Sequence, residues 1–97
     1  MADIRYKDKR VERLCTDARW AKKELGAESA KHLMRRIAEL RSVMVADDLL
    51  RVTGRWEELT ADRAGQWSAR LGRNWRLIVE AARGDSRIII IEIVDYH

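Results

Sequence analysis

The spacing of apolar residues changes at Gly54, and this change constrains the fold more than any other feature of the sequence. Before Gly54, apolar residues recur every three or four positions, as on one face of an amphipathic helix. After Gly54, they mostly alternate with polar residues, as in strands that bury one side. Helices followed by strands predict an α+β fold in which N-terminal helices pack on a small, twisted antiparallel sheet.

Two helices are expected in the first half. The first runs from Asp8 to Gly26, where a glycine ends it, and the second from about Ala27 to Val45. The apolar stripe of the second helix consists of Ala30, Leu33, Met34, Ile37, Leu40 and Met44. A short turn or helix follows from Asp47 to Arg51. Residues 3–6 alternate in polarity, which makes them a candidate for a short N-terminal strand that joins the sheet.

Four strands are expected in the second half, at Arg55–Leu59, Trp67–Leu71, Trp75–Glu80 and Arg87–Val94. The last contains four consecutive isoleucines, at positions 88–91. An unbroken apolar run is typical of a strand that is buried on both faces. We therefore expect this strand to lie inside the sheet rather than at its edge.

Length and composition indicate one small basic domain over residues 1–97. The formal net charge of +4 favours acidic partners such as nucleic acid. A simpler explanation of the same basic composition is a GC-rich genome, which favours arginine codons. No apolar run is long enough to cross a membrane, the N-terminus lacks a signal-like segment, and the single cysteine, Cys15, suits a reducing compartment. These features predict a cytoplasmic protein without a membrane association.

The stretch WSARLGRNWRLIV predicts a hairpin that sets two arginines against each other. Trp67, Ala69 and Leu71 share one face with the apolar residues of the next strand, and side chains that lie opposite each other must share a face. A two-residue turn would violate this parity, whereas a three-residue loop at positions 72–74 satisfies it. Arg70 then lies directly across from Arg76.

Two like charges in this position destabilise a sheet, so we expect a compensating group. One candidate is an acid from a neighbouring strand, namely Glu57, Glu58 or Glu92. The other is a bound anion such as a phosphate, for which the arginine fork is well shaped. Taken alone, such a pair is more often a solvated or acid-paired surface than a catalytic site.

The chain resembles the RelE/HigB superfamily of toxins, the plasmid maintenance killer proteins of bacterial type II toxin–antitoxin systems. The resemblance covers nearly the whole length and rests most specifically on GQWS, WRL and a closing DYH, in that order. It implies a RelE-like fold and a toxin that enters the A site of the 70S ribosome and cuts mRNA there without a metal or another cofactor. It also implies a helix-turn-helix antitoxin, through which the complex would bind operator DNA.

The resemblance places the catalytic residues at Arg70 and Arg76 on the strands and at Asp95, Tyr96 and His97 at the closing segment. Metal-free cleavage needs a base for the 2′-hydroxyl, an acid for the leaving oxygen and cations near the phosphate. The two arginines suit the phosphate, His97 suits the acid and Glu57 is the candidate base. Tyr96 would stack on a nucleotide base or orient a hydroxyl. Further RNA contacts are expected from Arg55, Arg63 and Arg73.

Two positions differ from the HigB-type pattern His-x-Leu-Lys-Gly. Glu57 stands where a histidine is common, and Thr60 where a lysine is common. A catalytically degenerate module that binds the ribosome, RNA or antitoxin without cleavage is therefore the alternative.

The remaining candidates have structural interpretations. His32 is expected at the surface or at a boundary, and Cys15 in the core. Trp67 and Trp75 are expected in the core, whereas Trp20 and Trp56 are candidates for exposure to a partner.

Overall fold

The structure, a computed structural model, describes residues 2–95 and contains a five-stranded sheet against which three α-helices pack. The strands are β1 (Asp3–Tyr6), β2 (Glu57–Glu58), β3 (Gln66–Arg70), β4 (Trp75–Glu80) and β5 (Arg87–Asp95). Their order across the sheet is β1-β5-β4-β3-β2. The sheet is mixed, because β1 pairs with β5 in parallel while the other neighbours are antiparallel. The predicted α+β class and the N-terminal strand are thus confirmed.

The segment predicted as one first helix forms two, α1 (Lys9–Thr16) and α2 (Ala18–Leu25). Asp17 separates them in an extended conformation, and its side chain accepts a hydrogen bond from the Trp20 amide at 3.1 Å. An aspartate in this position caps a new helix and so competes with continuation of the old one. Asp8 caps α1 in the same way, through the Val11 amide at 2.9 Å.

The third helix, α3 (Ala27–Ser42), is the long helix expected in the sequence, although it ends three residues early. Met44, which the periodicity predicts to be on the apolar stripe of this helix, therefore lies beyond the helix and is 64% exposed. A 3₁₀ segment follows at Ala46–Arg51, in agreement with the predicted short turn, and another precedes β3 at Ala61–Arg63. No helix within residues 2–95 combines the length and apolar character that crossing a bilayer requires.

One hydrophobic core lies between the helices and one face of the sheet. Its largest fully buried side chains are Trp67, Leu14, Leu33, Leu40, Leu49, Leu71, Leu77, Ile88, Ile90 and Val79. Strand β5 is internal, as expected, but only Ile88 and Ile90 are fully buried, whereas Ile89 and Ile91 are partly exposed. The predicted burial on both faces is therefore met only in part, because the second face keeps Ile89 and Ile91 partly exposed.

Trp56 also differs from the expectation. It is only 4% exposed, and its indole nitrogen donates to Glu39 Oε1 at 2.9 Å. A tryptophan whose single N–H is satisfied in the interior is a structural residue rather than a free contact for a partner. Trp20 is partly buried, with the Arg13 guanidinium 3.6 Å from its ring centroid. Trp67 is fully buried and Trp75 packs partly buried against the core, as expected.

Candidate active site

Arg70 and Arg76 are direct partners in the β3–β4 hairpin, as the parity argument predicts. The loop spans residues 72–74, where Gly72 has a φ of 93° in the left-handed region that glycine tolerates, and Leu71 donates to the Trp75 carbonyl at 2.8 Å. Both arginines lie on the face of the sheet opposite the core. Within residues 2–95, Arg70 has no ion-pair partner. Two cationic side chains are thus held together at an accessible surface.

A cavity of about 480 Å³ opens beside this pair. Its charged and polar lining consists of Arg36, Arg55, Arg70, Arg76, His32, Glu57, Thr53 and Ser68. Among the described residues, the lining thus contains four guanidinium groups, one imidazole and the carboxylate of Glu57, and Arg36 is additionally paired with Glu39. Such a balance suits an anionic ligand, and the volume lies within the range of about 300–1,000 Å³ that is typical of small-molecule sites.

Glu57 reaches the cavity from β2, the edge strand next to β3. Its register partner is Ser68, which lies two positions before Arg70 and therefore on the same face. The carboxylate is exposed to solvent. Of the three acids considered as compensation for the arginine pair, Glu57 is the one that lines the same cavity.

The other two acids are paired elsewhere. Glu58 faces the opposite way and binds Arg83, with both carboxylate oxygens within 3.2 Å of Arg83 Nε. This hydrogen-bonded pair holds the pKa of Glu58 below its ordinary value. Glu92 accepts from Arg63 Nη2 at 3.0 Å. Neither compensates for the positive charge at Arg70.

The segment that leads into β2 is held against α3 by one carboxylate. Glu39 accepts hydrogen bonds from Thr53 Oγ1 and Trp56 Nε1, each at 2.9 Å. Gly54 lies so close that an added Cβ would collide with the Glu39 carboxylate, so only glycine fits there. Because these contacts end one residue before Glu57, they determine where the cavity's carboxylate stands.

Arg55 lies in this segment with a φ of 53°, a conformation that is uncommon for a residue with a side chain. The hydrogen bonds of the neighbouring Thr53 and Trp56 hold it in place. Arg55, a predicted RNA contact, therefore lines the cavity.

The other predicted RNA contacts are more distant. Arg63 also bonds Gln66 Oε1 at 2.8 Å and lines a smaller cavity of about 110 Å³, which shares Arg76 and Ser68 with the larger one. Arg73 is exposed in the β3–β4 loop and is not part of the wall of either cavity.

Asp95 is the last residue that the structure describes. Its register partner is Trp75, while Arg76 pairs with Val94, so Asp95 lies on the opposite face of β5 from Val94. It does not line the two cavities that Arg76 lines. Tyr96 and His97, the two remaining predicted catalytic residues, lie outside the described residues.

His32 is one of two basic residues of the cavity wall, the other being Arg36, that sequence reasoning missed. It lies on α3, is about one third exposed and forms part of the cavity wall. Its spacing of four from Arg36 places both on one side of the helix, which the sequence does show. That this side meets the end of β3 depends on tertiary packing at Gly72, where an added Cβ would lie 3.8 Å from His32 Cδ2.

Cys15 lies in the core, as expected. Burial raises the pKa of its thiol to about 12, which disfavours a nucleophilic thiolate. Within residues 2–95, His, Cys, Asp and Glu side chains form no group of three or more that could hold a metal ion.

Three solved structures share this architecture over nearly their full length. A YoeB/ParE toxin from Agrobacterium tumefaciens is 17% identical, with a TM-score of 0.64 over 98% of this chain and 99% of that one. The YoeB–YefM complex from Staphylococcus aureus gives 18% identity and a TM-score of 0.63 over 100% and 98%. The YoeB dimer from the same organism gives 20% and 0.62 over 99% and 97%.

The chain has the YoeB/RelE-like toxin fold. None of these three structures is described as a HigB protein, so the narrower resemblance to HigB stays a prediction. No protein-family model matches the sequence, and no curated protein matches it. Structural similarity at sequence identities below 25% establishes the fold alone. The chemistry depends on the residues that line the cavity.

Proposed function

We propose that this protein is the toxin of a type II toxin–antitoxin system and that it acts as an endoribonuclease. The observation that carries the proposal is the convergence of Arg70, Arg76 and Glu57 on one cavity. This combination offers two cations for a phosphodiester and a carboxylate for a proton. Its occurrence on a fold shared with toxins makes RNA the favoured anion.

In the proposed reaction, Glu57 removes the proton from a ribose 2′-hydroxyl, and the freed oxygen attacks the adjacent phosphorus. The bond from phosphorus to the 5′-oxygen of the next nucleotide breaks, and His97 supplies the proton that this oxygen needs. Arg70 and Arg76 stabilise the negative charge that accumulates on the phosphate oxygens. Bound RNA covers Glu57, and the loss of water makes a carboxylate a stronger base.

The remaining predicted residues have supporting roles in this proposal. Tyr96 stacks on a nucleotide base or orients the 2′-hydroxyl, and Asp95 supports the protonated form of His97. Arg55 and Arg63 bind the RNA on either side of the scissile linkage, and Arg73 contacts it from the loop.

The proposed substrate is mRNA in the A site of the 70S ribosome, and cleavage there inhibits translation and growth. A cognate helix-turn-helix antitoxin neutralises the toxin and brings the complex to operator DNA in the cytoplasm. The existence of a YoeB–YefM complex with this fold supports a protein partner of the same general kind. The net charge of +4 is compatible with binding to ribosomal RNA and mRNA.

The second candidate is a catalytically degenerate module that binds the ribosome, RNA or antitoxin without cutting. The observation that favours it is the exposure of both Glu57 and Thr60, at positions where the HigB-type pattern has histidine and lysine. In that case the cavity would bind phosphate but lack an effective base.

The deciding experiment is expression of the chain alone and together with its neighbouring gene, with growth and message integrity scored in the same cultures. We expect growth arrest with cut messages when the chain is expressed alone, and rescue by the neighbouring gene. Growth arrest with intact messages in primer extension would overturn the nuclease and favour the degenerate module. Parallel reactions on naked RNA and on translated RNA test whether cleavage needs the ribosome.

Arg76→Ala and His97→Ala are each expected to abolish toxicity while the fold survives. Arg51→Ala is a matched control, because Arg51 is highly exposed, pairs only with Asp48 among residues 2–95 and lies outside the wall of the cavity. An exposed pair of this kind contributes little to stability. Full toxicity of the Arg76 variant would remove the arginine pair from the mechanism.

A further inference from the structure

The cavity has a second wall, built by α3 from basic side chains, that the proposed cleavage chemistry does not use. His32 and Arg36 form this wall, one helical turn apart. It meets the sheet wall at Gly72, where an added Cβ would lie 3.3 Å from Ser29 Oγ, 3.7 Å from Glu28 Oε1 and 3.8 Å from His32 Cδ2. The two walls thus belong to one concave surface.

Arg36 is held in place before any ligand binds. Its Nε lies 3.2 Å from Glu39 Oε1, and both side chains are only 12–13% exposed. The same carboxylate is fixed by Thr53 and Trp56, so the guanidinium is anchored to a rigid part of the protein. An arginine whose stem is already ordered loses less entropy when it binds an anion.

The anchored guanidinium still has hydrogen-bonding capacity. Arg36 Nε is buried and forms no hydrogen bond within residues 2–95, because its approach to Glu39 is close in distance but poorly aligned. Buried donors normally find partners. Because Nε itself is covered, an anion in the cavity would bind the terminal Nη1 and Nη2 atoms of Arg36.

His32 adds a second donor on the same wall. Its Nε2 lies 3.9 Å from Glu28 Oε1, which is beyond hydrogen-bonding distance, and Glu28 itself is exposed. The cavity of about 480 Å³ has room for a nucleotide unit rather than a bare phosphate. A nucleotide that is bound at Arg70 and Arg76 would therefore extend toward α3.

We propose that His32 and Arg36 form a second phosphate subsite, which binds the RNA phosphate next to the one held by Arg70 and Arg76. This inference rests on the proposed function for the identity of the ligand. The subsite sets the register of the RNA in the cavity and leaves the proton transfers to other groups.

The test uses two RNA dinucleotides in which every 2′-hydroxyl is methylated, so that neither can be cut. One carries a single internal phosphate, and the other carries an additional 3′-terminal phosphate. Their dissociation constants are measured by NMR titration of the isotope-labelled full chain. We expect the second phosphate to tighten binding to the unmodified protein by about tenfold, the scale of hydrogen bonds to a charged group.

His32→Ala and Arg36→Ala are each expected to remove most of this gain while binding of the single-phosphate dinucleotide persists. Arg70→Ala is expected to weaken both dinucleotides. Arg35→Ala is the matched control, since Arg35 is the neighbouring arginine on the exposed side of α3, outside the cavity wall. If Arg36→Ala does not fold, Arg36→Lys replaces it, because lysine keeps the charge and loses the guanidinium fork. The phosphate gain is then compared in Arg36→Lys and His32→Ala.

An undiminished gain in the folded His32 and Arg36 variants, or no shift of α3 signals on addition of the second phosphate, would overturn the subsite. A cleavage assay on unmodified RNA separates this outcome from failure of the proposed function. Cleavage without a phosphate gain at α3 contradicts the subsite alone. A phosphate gain without cleavage contradicts the nuclease and leaves the subsite standing.

Discussion

Arg70 and Arg76 lie directly opposite each other across the β3–β4 hairpin, with Arg70 at the last position of β3 and Arg76 at the second position of β4. Hairpin parity dictates this arrangement, and it opposes stability, because like charges in this position repel. The pair lines a cavity together with the carboxylate of Glu57, and the proposed function assigns the two charges to a phosphate.

Arg70→Ala is expected to abolish RNA cleavage without loss of stability. Removal of one of the two facing charges relieves their repulsion, so the free energy of unfolding should stay constant or rise by about 0.2–1 kcal/mol. Urea denaturation measures the stability, and primer extension on a translated message measures cleavage. A clear loss of stability would show that Arg70 is a structural residue.

Glu57→Gln is expected to lower the cleavage rate by about 10²–10⁴-fold, the usual contribution of a positioned general base. The amide keeps the shape of the side chain and cannot accept the proton. Single-turnover cleavage assays provide the measurement. Glu57→His is the companion variant: a lower rate fits a specific role for Glu57, whereas a large gain would indicate a decayed site.

Glu39→Gln is expected to lower the free energy of unfolding by about 1–3 kcal/mol, because Arg36, Thr53 and Trp56 all depend on this largely buried carboxylate. Since the same contacts position the segment before Glu57, cleavage should also fall. Chemical denaturation and the cleavage assay provide the two readouts. Glu24→Gln, on the exposed side of α2, is the control. Unchanged stability of the Glu39 variant would contradict the anchoring role.

The Cys15 thiol is expected to resist alkylation at pH 8 in the folded protein and to react readily in urea. Burial raises its pKa from 9.0 to about 12. The raised pKa means that folding favours the protonated thiol, so this contribution is fully present below pH 9 and is lost as the pH rises toward 12. Rapid labelling of the native protein at pH 8 would contradict the burial of Cys15.

The fold class and the arginine pair could be predicted because alternation along a strand is strict. Once Trp67 and Leu77 face the core, Arg70 and Arg76 must share the other face. The break between α1 and α2 at Asp17 was harder to predict, because the apolar spacing continues through this position. The Asp17 side chain caps α2 there, and this capping interrupts the helix. Periodicity reports which face is buried, and it reports helix ends poorly.

The parts of the site that depend on distant packing could not be predicted. Trp56 is buried because Glu39, seventeen residues earlier, accepts its N–H. His32 belongs to the cavity because α3 meets the β3–β4 loop at Gly72. No spacing rule within the sequence encodes either contact. Sequence alone therefore identified the sheet side of the cavity and missed its helix side.

The most direct test of the account is the chemical nature of the ends that the protein leaves on a defined message in a translating extract. Attack by a 2′-hydroxyl breaks the bond to the 5′-oxygen, so the downstream fragment must begin with a 5′-hydroxyl. We predict that this fragment accepts label from polynucleotide kinase without prior phosphatase treatment, and that a protein carrying both Arg70→Ala and Arg76→Ala yields none of it. Fragments that begin with a 5′-phosphate, or equal cleavage by the double variant, would contradict the mechanism.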